Sequence, residues 1–344
     1  MNNKILITGA SGFIGSHVVE YFCQQNLQPV CLVRPGSDIS FLESMPIELR
    51  YGDICDLAQM VAASKECSAI IHTAGLVRDW GRYEHFFQTN VVGTLNVLKA
   101  SVFNKIKQVI VTGSISVYGE EDCSGIKDES SPFRSHYAYF LDHLFPCGMN
   151  YYRDSKAEAV REASQYAMEQ RLDCTILEPV WVYGEREFHS GFYEYLQTAR
   201  SKVPFLPGSA TNKFHVIYAK DLARAYFLAY QQKIPGVERI IIGNRESELM
   251  ATTHTLFCRE AGFVRPRHMP KWPLYPVAFF LELAYGICHS GTAPLLTRGR
   301  LNMMYDNIKY STSKASSLLN FTSRYSLEEG VRRTVQWYKE KGLI

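Results

Sequence analysis

Short apolar runs alternate with helix-length amphipathic segments through the first half of the chain. Lys4–Thr8 (KILIT) leads into Gly-rich residues and then a helical pattern with Ile14, Val18, Val19 and Phe22 near one face. The strand signature returns at Pro29–Val33 (PVCLV), more weakly at Glu48–Tyr51, and again at Ala69–His72 (AIIH), Lys107–Thr112 (KQVIVT) and Asp173–Leu177 (DCTIL). The longest helical segments between them are Tyr83–Ser101 and Tyr152–Gln170. Apolar strands alternating with helices predict an α/β fold, a doubly wound parallel sheet with helices on both faces.

After about residue 180 the rhythm weakens. Arg186–Pro207 and Arg245–Arg300 are aromatic and broken by Pro, with one strand–helix–strand unit between them at Phe214–Ile217, Asp221–Gln231 and Arg239–Ile242. The predicted organisation is a doubly wound domain (1–182 plus 214–242) with a smaller, discontinuous carboxyl-terminal lobe (183–213 plus 243–344).

Composition narrows the class. In 344 residues, 46% hydrophobic content and only 14 Pro argue against disorder. The net charge of +3 hides an asymmetry: residues 241–344 carry 14 Lys+Arg against 8 Asp+Glu, while residues 1–240 carry 23 against 26. The basic third reads either as a solvated face or as a rim for an acidic substrate or lipid, and not as a nucleic-acid surface. Nine cysteines without a CxxC pair disfavour a zinc site or a disulfide framework and fit a reduced, cytoplasmic compartment; no metal site is expected. The start, MNNKILITGA, lacks the features of a signal peptide. Trp272–Cys288 (WPLYPVAFFLELAYGIC) is the most apolar stretch, but two early Pro, a central Glu282 and its short length disfavour a spanning helix. It reads as a buried core helix or as an interfacial one, the latter implying peripheral membrane association on the cytosolic face.

The chemistry begins at TGASGFIG. Gly9, Gly12 and Gly15 sit between the first strand and first helix, where Gly9 permits the turn, Gly12 lets backbone approach a pyrophosphate and Gly15 lets helix and strand pack. Phe13 and Ile14 start the helix at that site. After the second strand the chain reads Val33-Arg34-Pro35-Gly36-Ser37-Asp38. Arg34, with Ser37, suits the 2′-phosphate of NADP; Asp38 comes late for a ribose acid, although NAD stays open.

Tyr-x-x-x-Lys occurs at Tyr152/Lys156, Tyr305/Lys309 and Tyr310/Lys314, so the spacing alone is not specific. Only Tyr152 and Lys156 open a long helix after the fifth strand, with both side chains on one face. A neighbouring ammonium lowers the pKa of a phenol, about 10 when unperturbed, toward working pH. The hydroxyl needed to orient a carbonyl is expected from the strand end VTGSISVYG. There Thr112, Ser114 and Ser116 can share a face, with Ser114 preferred and Ser116 the alternative.

TGASGFIG, Asp53 of YGDICD, His72-Thr73-Ala74-Gly75, Asn90 of TNVVGT, Ser114 of GSISVYG, Tyr152-x-x-x-Lys156 and the run Glu178–Gly184 (EPVWVYG) occur in order. Together they resemble the extended short-chain dehydrogenase/reductase superfamily, epimerase/dehydratase-like, over essentially the whole chain. VRPGSD and the carboxyl-terminal segments are similar to the dihydroflavonol reductase and 3β-hydroxysteroid dehydrogenase branch. The resemblance implies a Rossmann fold in which Ser114, Tyr152 and Lys156 are catalytic and the second lobe binds a small-molecule substrate. It implies that Asp53 and Ile54 contact adenine, that Thr73, Ala74, Gly75 and Thr112 line the cofactor, and that Asn90 braces the site. It further implies that Pro179 and Val182 flank the nicotinamide, and that Tyr83–Ser101 and Tyr152–Gln170 form a homodimer contact. Glu178 and Phe214 stand where nucleotide-sugar epimerases carry Arg, and Phe140, Phe145, Phe188, Phe192, Tyr193 and Tyr195 are expected as aromatic walls. The expected activity is an NADP-dependent oxidoreductase acting on an apolar carbonyl or alcohol. The alternatives are an NAD-retaining epimerase or dehydratase and a non-catalytic cofactor-binding regulator.

Overall fold

The computed structural model describes residues 4–119, 125–188, 191–288 and 290–344. The first half runs β1 (Lys4–Thr8), α1 (Phe13–Gln24), β2 (Val30–Val33), β3 (Glu48–Tyr51), α2 (Leu57–Ala63) and β4 (Cys67–His72). A helical segment follows as α3 (Tyr83–Phe86), a π-helical turn (Phe87–Val92) and α4 (Gly93–Phe103). Next come β5 (Gln108–Thr112), a 3₁₀ turn (Ile115–Tyr118), α5 (Gly148–Gln170), β6 (Asp173–Pro179) and β7 (Trp181–Tyr183). The second half contains α6 (Gly191–Arg200), β8 (Phe205–Pro207), β9 (Lys213–Phe214), β10 (Val216–Tyr218), α7 (Ala219–Gln232), β11 (Val237–Ile242), β12 (Glu248–Leu249) and α8 (Met250–Ala261). It ends with β13 (Arg267–Met269), α9 (Lys271–Ile287), α10 (Arg298–Met303), α11 (Ser313–Leu319) and α12 (Leu327–Glu340).

Seven strands form the main sheet in the order β11-β6-β5-β4-β1-β2-β3, every pairing parallel. β1, β2, β5 and β6 are buried on both faces because helices cover both sides. The strand order reverses between β1 and β4, which opens a crevice at the carboxyl ends of the strands, where ligands bind in such sheets. The strand read at Phe214–Ile217 departs from the expected plan. It splits into β9, paired with β12, and β10, paired with β7, so the seventh strand of the sheet is β11.

The Pro-punctuated stretches contain regular helices, α6, α8, α9 and α10. α9 holds Pro273 in its first turn, where the missing N–H costs nothing, and Pro276 in its interior. Of its 17 residues only Ala278, Phe279 and Glu282 are buried, so the core-helix reading of this segment is not met. Among the described residues no helix is long and apolar enough to cross a membrane, and the cysteines are free thiols.

Candidate active site

The glycine turn closes the end of β1. Gly9 has φ +67°, and the Gly12 amide donates to the Gly9 carbonyl at 2.9 Å. A Cβ on Gly15 would stand 2.0 Å from that carbonyl oxygen and 2.7 Å from Thr73 Oγ1, so α1 can meet the β1 and β4 ends only through glycine. Gly12 caps α1 with no side-chain bond, and the first turn, which includes Phe13 and Ile14, carries no acidic residue. The positive helix end is thus left for an anion, which fits a dinucleotide pyrophosphate.

Arg34 lies exposed one residue beyond β2, in a turn closed by the Ser37 amide on the Arg34 carbonyl at 3.1 Å. Asp38 is occupied locally, accepting from the Ser40 amide at 3.0 Å. Asp53 accepts from the Cys55 amide at 2.9 Å, and Ile54 is packed against Gly93 while its carbonyl accepts from Asn96 at 3.0 Å. Thr73 Oγ1 donates to the Thr8 carbonyl at 2.7 Å, with Ala74 and Gly75 following beside Gly9 and Asn90.

His72, at the end of β4, is fully buried. The Thr94 hydroxyl donates to the Asn90 carbonyl at 2.6 Å, so it accepts from His72 Nε2 at 3.1 Å. His72 Nδ1 therefore accepts from the Thr8 hydroxyl at 2.7 Å. Burial, aided by the charge of Lys156, pushes its pKa down to about 3, and the ring stays neutral.

Asn90 lies in the π-helical turn, a feature frequent at functional sites. Its Oδ1 accepts from the Leu76 amide at 2.8 Å, and its Nδ2 donates to the Leu76 carbonyl at 3.2 Å and to Ser155 Oγ at 2.9 Å. One side chain thereby fixes the loop after β4 against α5, next to Lys156.

Tyr152 and Lys156 share one face of α5. Lys156 Nζ donates to the Thr112 carbonyl at 2.7 Å and lies 4.0 Å from the place a Gly75 Cβ would occupy. Burial pulls its pKa down to about 8, opposed by the carboxylate of Glu178. Tyr152 Oη lies 3.5 Å from Ser114 Oγ. Ser116 donates to Ser114 Oγ through its hydroxyl (2.8 Å) and its amide (3.2 Å), which leaves the Ser114 proton to donate outward.

The three hydroxyls after β5 do not share a face. β5 ends at Thr112 and the chain turns into the 3₁₀ helix, with Ser114 at its N-cap and Ser116 fully buried behind it. The Thr112 hydroxyl is bonded to the His72 carbonyl at 2.8 Å and to Tyr226 Oη at 2.6 Å, so Thr112 serves the site through its backbone carbonyl. Pro179 is buried at the end of β6, and Val182 is half-buried in β7, opposite Ile217.

The arrangement brings the Tyr152 and Ser114 hydroxyls together, with Tyr152 on the helix that carries the Lys156 amine. Residues 5–243 match the model of the NAD dependent epimerase/dehydratase family. The chain belongs to that family. It is an NAD(P)-binding, short-chain dehydrogenase/reductase-type enzyme. A 2-alkyl-3-oxoalkanoate reductase of Shewanella oneidensis is 26% identical, covering 95% of this chain and 84% of that one. The decarboxylating sterol-4-alpha-carboxylate 3-dehydrogenase erg26 of Schizosaccharomyces pombe is 25% identical, covering 97% of each. The crystal structure of gox2253 matches with a TM-score of 0.80 at 25% identity, covering 99% of each chain.

The Glu178 and Phe214 side chains are both engaged in the interior. Glu178 is fully buried, accepts from Tyr118 Oη and pairs with Arg239 Nε at 3.1 Å, with burial raising its pKa to about 7. Phe214 is buried between Trp181 and Phe192, with ring centroids 5.4 and 6.2 Å away. The expected aromatic walls do not form one cavity. Phe192 lies in the main hydrophobic core and Tyr195 in a small cluster with Ala199 and Cys258, while Phe140 and Phe145 pack on Phe279 and face outward. Sequence reasoning missed Tyr226, Tyr118, Arg239 and Ser155 as supports, since their partners lie far away in the chain. Only Ser155, directly before Lys156, carried a positional signal.

Proposed function

We propose that this enzyme is an NADP-dependent oxidoreductase acting on the carbonyl or secondary alcohol of a small apolar molecule, steroid-like or an alkyl ketone. The observation that carries the reading is Tyr152 Oη 3.5 Å from Ser114 Oγ, with the Lys156 amine anchored on the same helix face. A substrate oxygen seated between the two hydroxyls accepts from both. In the reductive direction Tyr152 delivers its proton to that oxygen as the carbon is reduced, and Ser114 orients the oxygen. Lys156 stabilises the resulting phenolate and holds the cofactor ribose. The bound nicotinamide supplies or accepts the hydride.

An apolar substrate is supported by the missing arginine clamp at Glu178 and Phe214, and by relatives whose names specify alkyl oxoacids and sterols. NADP is supported by the exposed Arg34 beyond β2 and by the local engagement of Asp38.

A screen of apolar ketones and hydroxysteroids, followed by NADPH absorbance, tests the assignment. Turnover with net NADPH consumption is expected. Retained cofactor without net consumption points instead to an epimerase. Arg34→Asp is expected to lower kcat/KM for NADPH relative to NADH by about 10- to 100-fold, the range of a charge-assisted hydrogen bond. An unchanged ratio contradicts the NADP assignment.

A further inference from the structure

We propose that the outer face of α9, together with the loop at residues 140–145, docks the enzyme onto an anionic lipid surface. The inference is independent of the reaction assigned above. It starts from a helix whose polarity is inverted. The outward positions of α9 include Val277, Phe280, Ala284 and Ile287, an apolar row at helical spacing, with Phe280 and Ile287 64% and 68% exposed. The one carboxylate of the helix, Glu282, points inward. It pairs with the Nε of buried Arg298 and accepts from the Arg298 amide at 2.8 Å.

The loop beside it follows the same rule. Phe140 and Leu144 are exposed, whereas Asp142 is turned in, accepting from the Cys147 amide at 2.8 Å and from Asn150. The two apolar segments are continuous. The Phe140 and Phe145 rings stand 5.4 and 6.2 Å from that of Phe279, and Arg298 donates to both the Phe140 and Phe145 carbonyls. Contiguous apolar surface of this kind marks an interaction site.

Charge identifies the occupant. Between residues 261 and 305 Glu282 is the only acidic residue, and it is buried, while Lys271 opens α9 next to the exposed Trp272 and Arg267 lies exposed in β13, four residues before the helix. An apolar helix face with basic residues and Trp at its edge suits the headgroup boundary of an anionic bilayer. At 17 residues the helix is too short to span and long enough to lie in the interface. Through Arg298 and the 140–145 loop, this face connects to the entry of α5, four residues before Tyr152.

Co-sedimentation of the full-length protein with vesicles tests the proposal, using pure phosphatidylcholine and phosphatidylcholine containing about one-quarter phosphatidylglycerol. Wild type is expected to bind the anionic vesicles. The double substitution Phe280→Asp with Ile287→Asp should weaken that binding about tenfold or more, and Lys271→Glu should reduce it mainly at low salt. Thermal melting and the oligomeric state of the double variant should be unchanged, because Phe280 and Ile287 are exposed. Absence of binding to the anionic vesicles overturns the proposal, as does equal binding by the double variant. A dimer that the double variant converts to monomer also overturns it, by assigning the face to a second copy.

Discussion

Lys156 carries an amine into a fully buried position, where the Thr112 carbonyl at 2.7 Å and the Glu178 carboxylate replace only part of its lost hydration. Its pKa falls from 10.5 to about 8, so the folded state disfavours the charged form. The resulting destabilisation is fully present below about pH 8 and is relieved as the pH rises from there to the unfolded value. A shift of this size corresponds to about 3 kcal/mol as an upper bound. Lys156→Met is therefore expected to abolish turnover yet stabilise the protein by about 1–3 kcal/mol at pH 7, after allowing for the lost hydrogen bond, with the gain shrinking toward pH 10. Urea denaturation at the two pH values checks this; equal destabilisation at both contradicts it. At this scale the sequence is partly legible. The placing of Tyr152 and Lys156 on one helix face follows from their four-residue spacing, whereas the separation of Ser114 from Ser116 appears only once the chain turns into the 3₁₀ helix. The diversion of Thr112 to Tyr226 does not, because the two residues are 114 positions apart and meet only when α7 packs on β5.

Among the elements, α1 shows how one residue type sets a whole packing relation. Its axis approaches β1 and β4 so closely that a Cβ at Gly15 overlaps the Gly9 carbonyl and crowds the Thr73 hydroxyl. Gly15→Ala is expected to destabilise the fold by about 1–3 kcal/mol through overpacking and to weaken dinucleotide binding at the helix end. Chemical denaturation and a cofactor titration by fluorescence read the two effects; wild-type values for both contradict the account of this turn. The glycine turn was visible in the sequence because its constraint is local. The π-helical turn around Asn90 was not, since TNVVGT reads as ordinary helix until the Leu76 backbone and Ser155 claim its amide. α9 was ambiguous for another reason. An apolar stretch reads the same whether its face turns inward or outward, and the inward turn of Glu282 depends on Arg298, 16 residues later.

For the molecule as a whole, the parallel sheet places the ends of β1, β4, β5 and β6 around one crevice, and the carboxyl-terminal third reaches the loop beside it. Arg300 on α10 bridges to Asp79 in the loop after β4, and Trp80 Nε1 donates to the Ser290 carbonyl at 2.8 Å, so the loop after β4 and the carboxyl-terminal third hold one another. The sheet was legible because alternating apolar strands leave few topologies. The chain after β6 was less so, because its short pairings β7–β10, β8–β13 and β9–β12 are set by tertiary packing and not by local pattern. The account rests on Tyr152 as the proton-transferring group between Ser114 and Lys156. Its most direct test is steady-state turnover of Tyr152→Phe on a substrate found by the ketone and hydroxysteroid screen, measured beside NADPH binding. The account predicts cofactor affinity close to wild type and a kcat lower by about 10²- to 10⁴-fold. A Tyr152→Phe enzyme that turns over at the wild-type rate would contradict it.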